Sequence, residues 1–201
     1  MSNQAFPKLL EEFESLLNNL NAPILKKLTK GTSVEEINST LEYRWVPEEI
    51  VQLYSWHDGT NIQDKGLLGE FWIFRMGSFM SSARAMRFYK KRAGIDPHWD
   101  YLKFPIFESL GGELFLVDID KSSSTVGRIY FYSVRAVDFD TVISVYDSLE
   151  ALFLTIIDCF RQRAYFYNVE SGNLEFNDEL VIKISRKYNP NSRFWNIFKN
   201  Q

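Results

Sequence analysis

A chain of 201 residues with 45% apolar and 16% aromatic residues is too rich in Phe, Tyr and Trp to remain disordered, and has room for one domain plus an extension. Its net charge of -3 and pI near 5.5 give no global basic footprint for a polyphosphate backbone, which argues against direct nucleic-acid binding. A single cysteine, Cys159, excludes an internal disulfide framework.

From the N-terminus, Phe6, Leu9, Leu10, Phe13, Leu16, Leu17 and Leu20 recur at helical spacing, and Asn21-Ala22-Pro23 breaks the stripe because the residue before proline avoids helical dihedrals. Acids at Glu11, Glu12 and Glu14 replace the basic-then-apolar pattern of a secretory signal. No apolar run approaches the roughly 20 residues that span a bilayer, so neither membrane nor export is expected and the setting is read as cytoplasmic. Ser33 and Glu36 form a capping-box pattern ahead of Val34, Ile37 and Leu41,. In WVPEEIVQLYSWHDGTN, Pro47 suits a first helical turn and Glu48 and Glu49 suit the positive end of a helix dipole. Ile50, Leu53, Tyr54 and His57 share a face, and Gly59 follows as a helix terminator,. FWIF at Phe71–Phe74 reads as a short strand, and Ser81 or Ser82 opens a helix through Lys91.

Beyond Lys103 the pattern changes to strands: FPIFES, Gly111-Gly112 as a hairpin signal, ELFLVDID, a polar KSSSTVG loop, RIYFYSV and TVISVYD,. A helix from Ser148 to Arg163 returns, followed by a hairpin around Ser171-Gly172-Asn173 and a helix from about Asn177 to Tyr188. This order indicates an α+β protein, mainly an antiparallel sheet with flanking helices. The expected division is an N-terminal helix over 1–29, a domain over 30–164 and an extension over 165–201.

Candidate chemistry is sparse. His57 and Asp58 are neighbours on a helix and point about 100 degrees apart, which suits capping better than a catalytic pair. His98 lies between Asp96 and Asp100, the one place for a metal-dependent hydrolase, although no zinc or EF-hand spacing accompanies it. No metal or cofactor is expected. Arg84, Arg87 and Lys91 would share a helical face beside Phe88 and Tyr89, a local basic patch. Asp118 and Asp120 alternate onto one face of a strand end, as a solvated rim. Phe104–Phe160 carries nine acids and three bases, which reads either as an acidic sheet region that steers a basic partner or as an ordinary solvated face.

The capped helix SVEEINSTLEYRWVPEEIVQLYSWHDG, then FPIFESLGGELFLVDID, an aromatic strand and SLEALFLTII resemble the SUKH superfamily over about Lys30 to Phe160. That group includes a fungal regulator of cell-wall glucan synthesis and many bacterial immunity proteins that neutralise polymorphic toxins. The correspondence rests on Pro47-Glu48-Glu49 with Leu53-Tyr54 and Asp58-Gly59, then Gly111-Gly112 with Leu116 and Asp118. Val46 stands where leucine commonly precedes the proline. The resemblance implies a non-catalytic protein-binding module, with Glu113, Asp118 and Asp120 as contact candidates for a basic nuclease toxin. A regulatory scaffold is the alternative.

Overall fold

The computed structural model describes residues 5–63, 66–96, 98–109, 111–133, 142–168 and 170–197. Helix α1, Ala5–Asn19, buries Phe6, Leu9, Leu10, Phe13 and Leu17 of the stripe read from the sequence, whereas Leu16 is only partly buried and Leu20, past the helix end, is 44% exposed. Asn21 then turns the chain with φ 48° into a 3-10 turn over Pro23–Lys26. Strand β1, Leu28–Lys30, follows.

Helix α2, Val34–Thr40, starts from the expected capping box: the Ser33 hydroxyl accepts the Glu36 N–H, and the Glu36 carboxylate accepts the Ser33 N–H,. Of its stripe only Ile37 and Leu41 are buried, and Val34 stays 47% exposed. Helix α3, Glu48–Trp56, follows Pro47 and buries Ile50, Leu53 and Tyr54. It ends one residue short of the expected face. His57 is extended and opens strand β2, His57–Thr60, which pairs antiparallel with β1. Gly59 therefore sits in a strand at φ 86°, and an added Cβ would lie 2.3 Å from the Ser81 nitrogen. Its service is close backbone approach rather than helix termination.

The expected strand at Phe71–Phe74 is not formed. Leu68–Phe71 is a 3-10 turn, and Phe74 makes only an isolated bridge to Gly77. Phe74 instead packs edge-on against Phe107, Phe115 and Tyr146, so its apolar run serves as a core plug. Strand β3 is Ser78–Phe79, and helix α4, Ser82–Arg92, is capped by the Ser81 hydroxyl.

Strands β4, Lys103–Glu108, β5, Leu114–Asp118, β6, Ile129–Tyr132, and β7, Val142–Tyr146, continue the sheet. Its order is β3-β4-β5-β6-β7 with antiparallel neighbours. The central strand β5 is buried along its whole length, which requires cover on both faces. Helix α5, Leu149–Arg161, supplies part of that cover and packs against α1 and β7. Phe13 joins them, its ring 5.4 Å from Phe153.

The C-terminal hairpin is β8, Tyr165–Tyr167, with β9, Leu174–Phe176. Helix α6, Asp178–Tyr188, packs on α5 and helix α7, Arg193–Ile197, on β7. Trp195 is buried 6.1 Å from Tyr146 and Phe194 lies 6.5 Å from Phe131. These aromatics therefore close the sheet face; Phe198, which belongs with them in the sequence, lies outside the described residues.

Candidate partner-binding surface

The three carboxylates expected to meet a partner do not form one patch. Glu113 precedes β5 and Asp118 ends it, which at about 3.4 Å per residue separates their Cα atoms by roughly 17 Å. Asp118 is not on a solvated rim. It is 4% exposed, and its carboxylate accepts the Asp120 N–H at 3.0 Å, the Thr125 hydroxyl at 2.6 Å and the Ser123 hydroxyl at 3.3 Å. The polar loop after β5 folds back over this acceptor, so Asp118 holds the loop's shape.

Asp120 lies in that loop and remains accessible. Its carboxylate accepts the Ser122 hydroxyl at 2.6 Å and the Ser122 N–H at 2.8 Å, and these two bonds hold it below the usual carboxylate range,. At the other end of β5, Glu113 accepts the Ser109 hydroxyl. The Ser109 oxygen in turn takes the N–H groups of Gly111 at 3.0 Å and Glu113 at 3.3 Å, fixing the glycine hairpin.

The acidic excess of Phe104–Phe160 is largely spent inside the protein. Arg84 of α4 reaches Glu108 through two bonds of 2.6 and 2.8 Å, and Glu108 is buried. Asp147 accepts the backbone and side-chain N–H groups of Asn191, each at 3.1 Å. At Asp158 burial acts to raise the carboxyl, but bonds from Gln162, Lys187 and Tyr188 outweigh it and hold the group low. Asp138 and Asp140 lie outside the described residues. The cations that neutralise the segment come from other elements, so a charge count along the sequence overstates the surface field.

The basic helix is divided in the same way. Arg84 is withdrawn into its pair with Glu108, Lys90 pairs with Glu42, and Arg87 and Lys91 line a shallow hollow with Thr40. The expected common face of Arg84, Arg87 and Lys91 is not available to one ligand.

His57 and Asp58 diverge. His57 Nδ1 lies 2.7 Å from the Thr29 carbonyl oxygen; a carbonyl only accepts, which places the proton on Nδ1. Asp58 accepts the Ser82 N–H at 2.7 Å and so caps α4 from a distant strand,. Both residues tie β2 to its neighbours. Around His98, Asp96 takes the Tyr132 hydroxyl and the His98 N–H. The Tyr132 hydrogen bond is the largest influence lowering the Asp96 carboxyl. Asp100 takes the Leu102 N–H and the Lys103 ammonium, each at 2.7 Å. Among the described residues no cluster of three His, Cys, Asp or Glu gathers in a metal-holding arrangement.

Sequence reasoning missed the neighbourhood of Trp45. This side chain is 40% exposed and carries the Lys121 ammonium 4.6 Å above its ring. The aromatic link EYRWVP was visible, but an indole left outside a core this rich in aromatics was not.

Fold and surface together define a class first: a mixed α+β domain built on a five-stranded antiparallel sheet, in which Asp58, Glu108, Asp118 and Asp158 are committed to caps, turns and ion pairs. The family follows from comparison. The model of the SMI1 / KNR4 family (SUKH-1) matches residues 32–155, and the chain belongs to that family. The match begins beside the capping box at Ser33 and ends within α5, which bears out the SUKH resemblance. No curated protein matches the chain.

Proposed function

We propose that this protein is a non-catalytic protein-binding module of the immunity type, acting in the cytoplasm to neutralise a polymorphic toxin by occupying its active surface. The observation that carries this reading is membership of the SMI1 / KNR4 family over residues 32–155. Accessible carboxylates at Asp120 and Glu113, with the exposed Glu150 at the start of α5, favour a basic partner such as a nuclease. Glu113 and Asp120 serve as direct contacts in this reading, and Asp118 acts through the loop it holds. The binding body is the domain over 30–164, with 1–29 and 165–201 as accessory segments. No cofactor, nucleic acid or lipid takes part, and among the described residues no helix is long and apolar enough to cross a membrane.

Affinity capture from native lysate at low and moderate salt, with identification by mass spectrometry, tests the proposal. One dominant toxin-like protein, released as screening rises, is the expected outcome. Recovery of a housekeeping protein would favour a regulatory scaffold, and no specific protein at either salt would overturn the binding role. Reversing Glu113 and Asp120 to lysine should weaken a captured basic partner at least tenfold; unchanged affinity would remove both residues from the contact.

A further inference from the structure

Trp45 is a wall common to two concavities. One, of about 350 Å³, lies between the first turns of α3 and α5 and the loop after β5, with Pro47, Val117, Val126 and Leu149 beside the indole. The other, of about 840 Å³, runs between α1 and α3 past Pro7, Val34, Val51 and Trp56. Glu48 also borders both. The two basins therefore adjoin across the exposed indole, and together make a trough of largely apolar lining on either side of it. Val34 and Val126, near its opposite ends, are 47% and 42% exposed. Isolated apolar side chains at a surface need no explanation, whereas a contiguous set around an indole marks an interaction site.

The charged side chains of the trough decide what fits it. Glu11, Glu48 and Glu49 face one cation, Lys121. Among the described residues Glu11 and Glu49 have no ion-pair partner, and Glu48 accepts the Gln52 side-chain amide at 3.1 Å. The Lys121 ammonium over Trp45 shows that this ring face takes a cation,. Broad, adjoining basins differ from the enclosed pockets that bury most of a small ligand.

We propose that this trough is the docking groove for a basic, amphipathic segment of the partner protein. An apolar side chain of that segment packs beside Trp45 and its Lys or Arg side chains meet Glu11, Glu48 and Glu49. The proposal rests on the protein-binding reading and adds to the Glu113 and Asp120 contacts a second one on the linker before α3.

The test uses the full chain and two labelled synthetic peptides of about 18 residues, one of Leu and Lys and one of Leu and Glu, each patterned as an amphipathic helix. Fluorescence anisotropy should show the Lys peptide binding and the Glu peptide not. Trp45→Ala should weaken binding at least tenfold. The paired changes Glu48→Gln and Glu49→Gln, which leave the apolar lining intact, should weaken it severalfold and flatten its salt dependence. Arg87→Ala, on α4, should change nothing. No binding of the Lys peptide by the wild type, or wild-type affinity in both trough variants, would overturn the proposal. The same variants against a captured partner separate the two readings. Full affinity of Trp45→Ala for that partner overturns the groove alone, while a wild type that captures no specific protein overturns the module reading and leaves the peptide result to judge the groove.

Discussion

Glu108→Gln isolates the pair that ties α4 to the sheet. Arg84 Nε and Nη2 reach the two Glu108 oxygens at 2.6 and 2.8 Å, with side-chain exposures of 27% and 6%. Glutamine keeps the shape but removes the counter-charge and one acceptor, stranding a guanidinium that has lost most of its water. Removing one member of a buried pair costs about 3–5 kcal/mol. Because Arg84 keeps about a quarter of its side chain in water, the cost here falls to roughly 2–3 kcal/mol. For a chain of this length that corresponds to a drop in Tm of roughly 5–10 °C. Urea unfolding followed by circular dichroism measures it: the midpoint should fall with an unchanged slope. In a double-mutant cycle, adding Arg84→Met should recover part of the loss, since the stranded charge is then gone. A Glu108→Gln midpoint within about 0.5 kcal/mol of the wild type would refute the reasoning and mean that Arg84 is solvated and available as a surface cation.

Two further outcomes follow from close packing and burial. Gly59→Ala forces a Cβ to 2.3 Å from the Ser81 nitrogen at φ 86°, and should cost about 2–3 kcal/mol in urea. Asp58→Ala, which loses only the distant cap on α4, should cost about 1 kcal/mol; the reverse ranking would contradict the close approach of β2 to α4. The Cys159 thiol is pushed up to about 12 by burial, with the Asp158 carboxylate adding to the effect, so it should not react with a disulfide reagent at pH 8 until the chain unfolds. The unfolded thiol, with its ordinary pKa near 9, ionises first; Cys159 therefore favours folding fully below pH 9, and that contribution is lost as pH rises towards 12. A urea midpoint unchanged between pH 8 and 10.5, or rapid thiol modification of the native protein, would contradict this burial.

Local signals carried much of the fold. The Ser33–Glu36 capping box, the first four turns of the α1 stripe, the helix after Ser148 and the Gly111-Gly112 hairpin depend on neighbours within a few positions, and these formed as read. What depended on distant partners was not legible. His57 left the helical face because β1, 27 to 29 positions earlier, offers a strand to pair with. Phe71–Phe74 did not pair as a strand because Phe74 is worth more as a plug among Phe107, Phe115 and Tyr146. The site suffered most from this limit. Asp118 and Asp120 look equivalent in FLVDID, yet one is buried under a polar loop and the other lies in it. The net charge of a sequence window concealed Arg84 and Lys187, which arrive from other helices to neutralise Glu108 and Asp158.

The central claim, that this member of the SMI1 / KNR4 family acts by binding and blocking a protein toxin, is tested most directly by an inhibition titration. The captured toxin's activity is measured as purified full-length chain is added at moderate salt. Loss of activity complete at equimolar chain, with Trp45→Ala requiring at least tenfold more protein, is the expected result. A toxin that stays fully active in the presence of a large excess of the chain would contradict the claim.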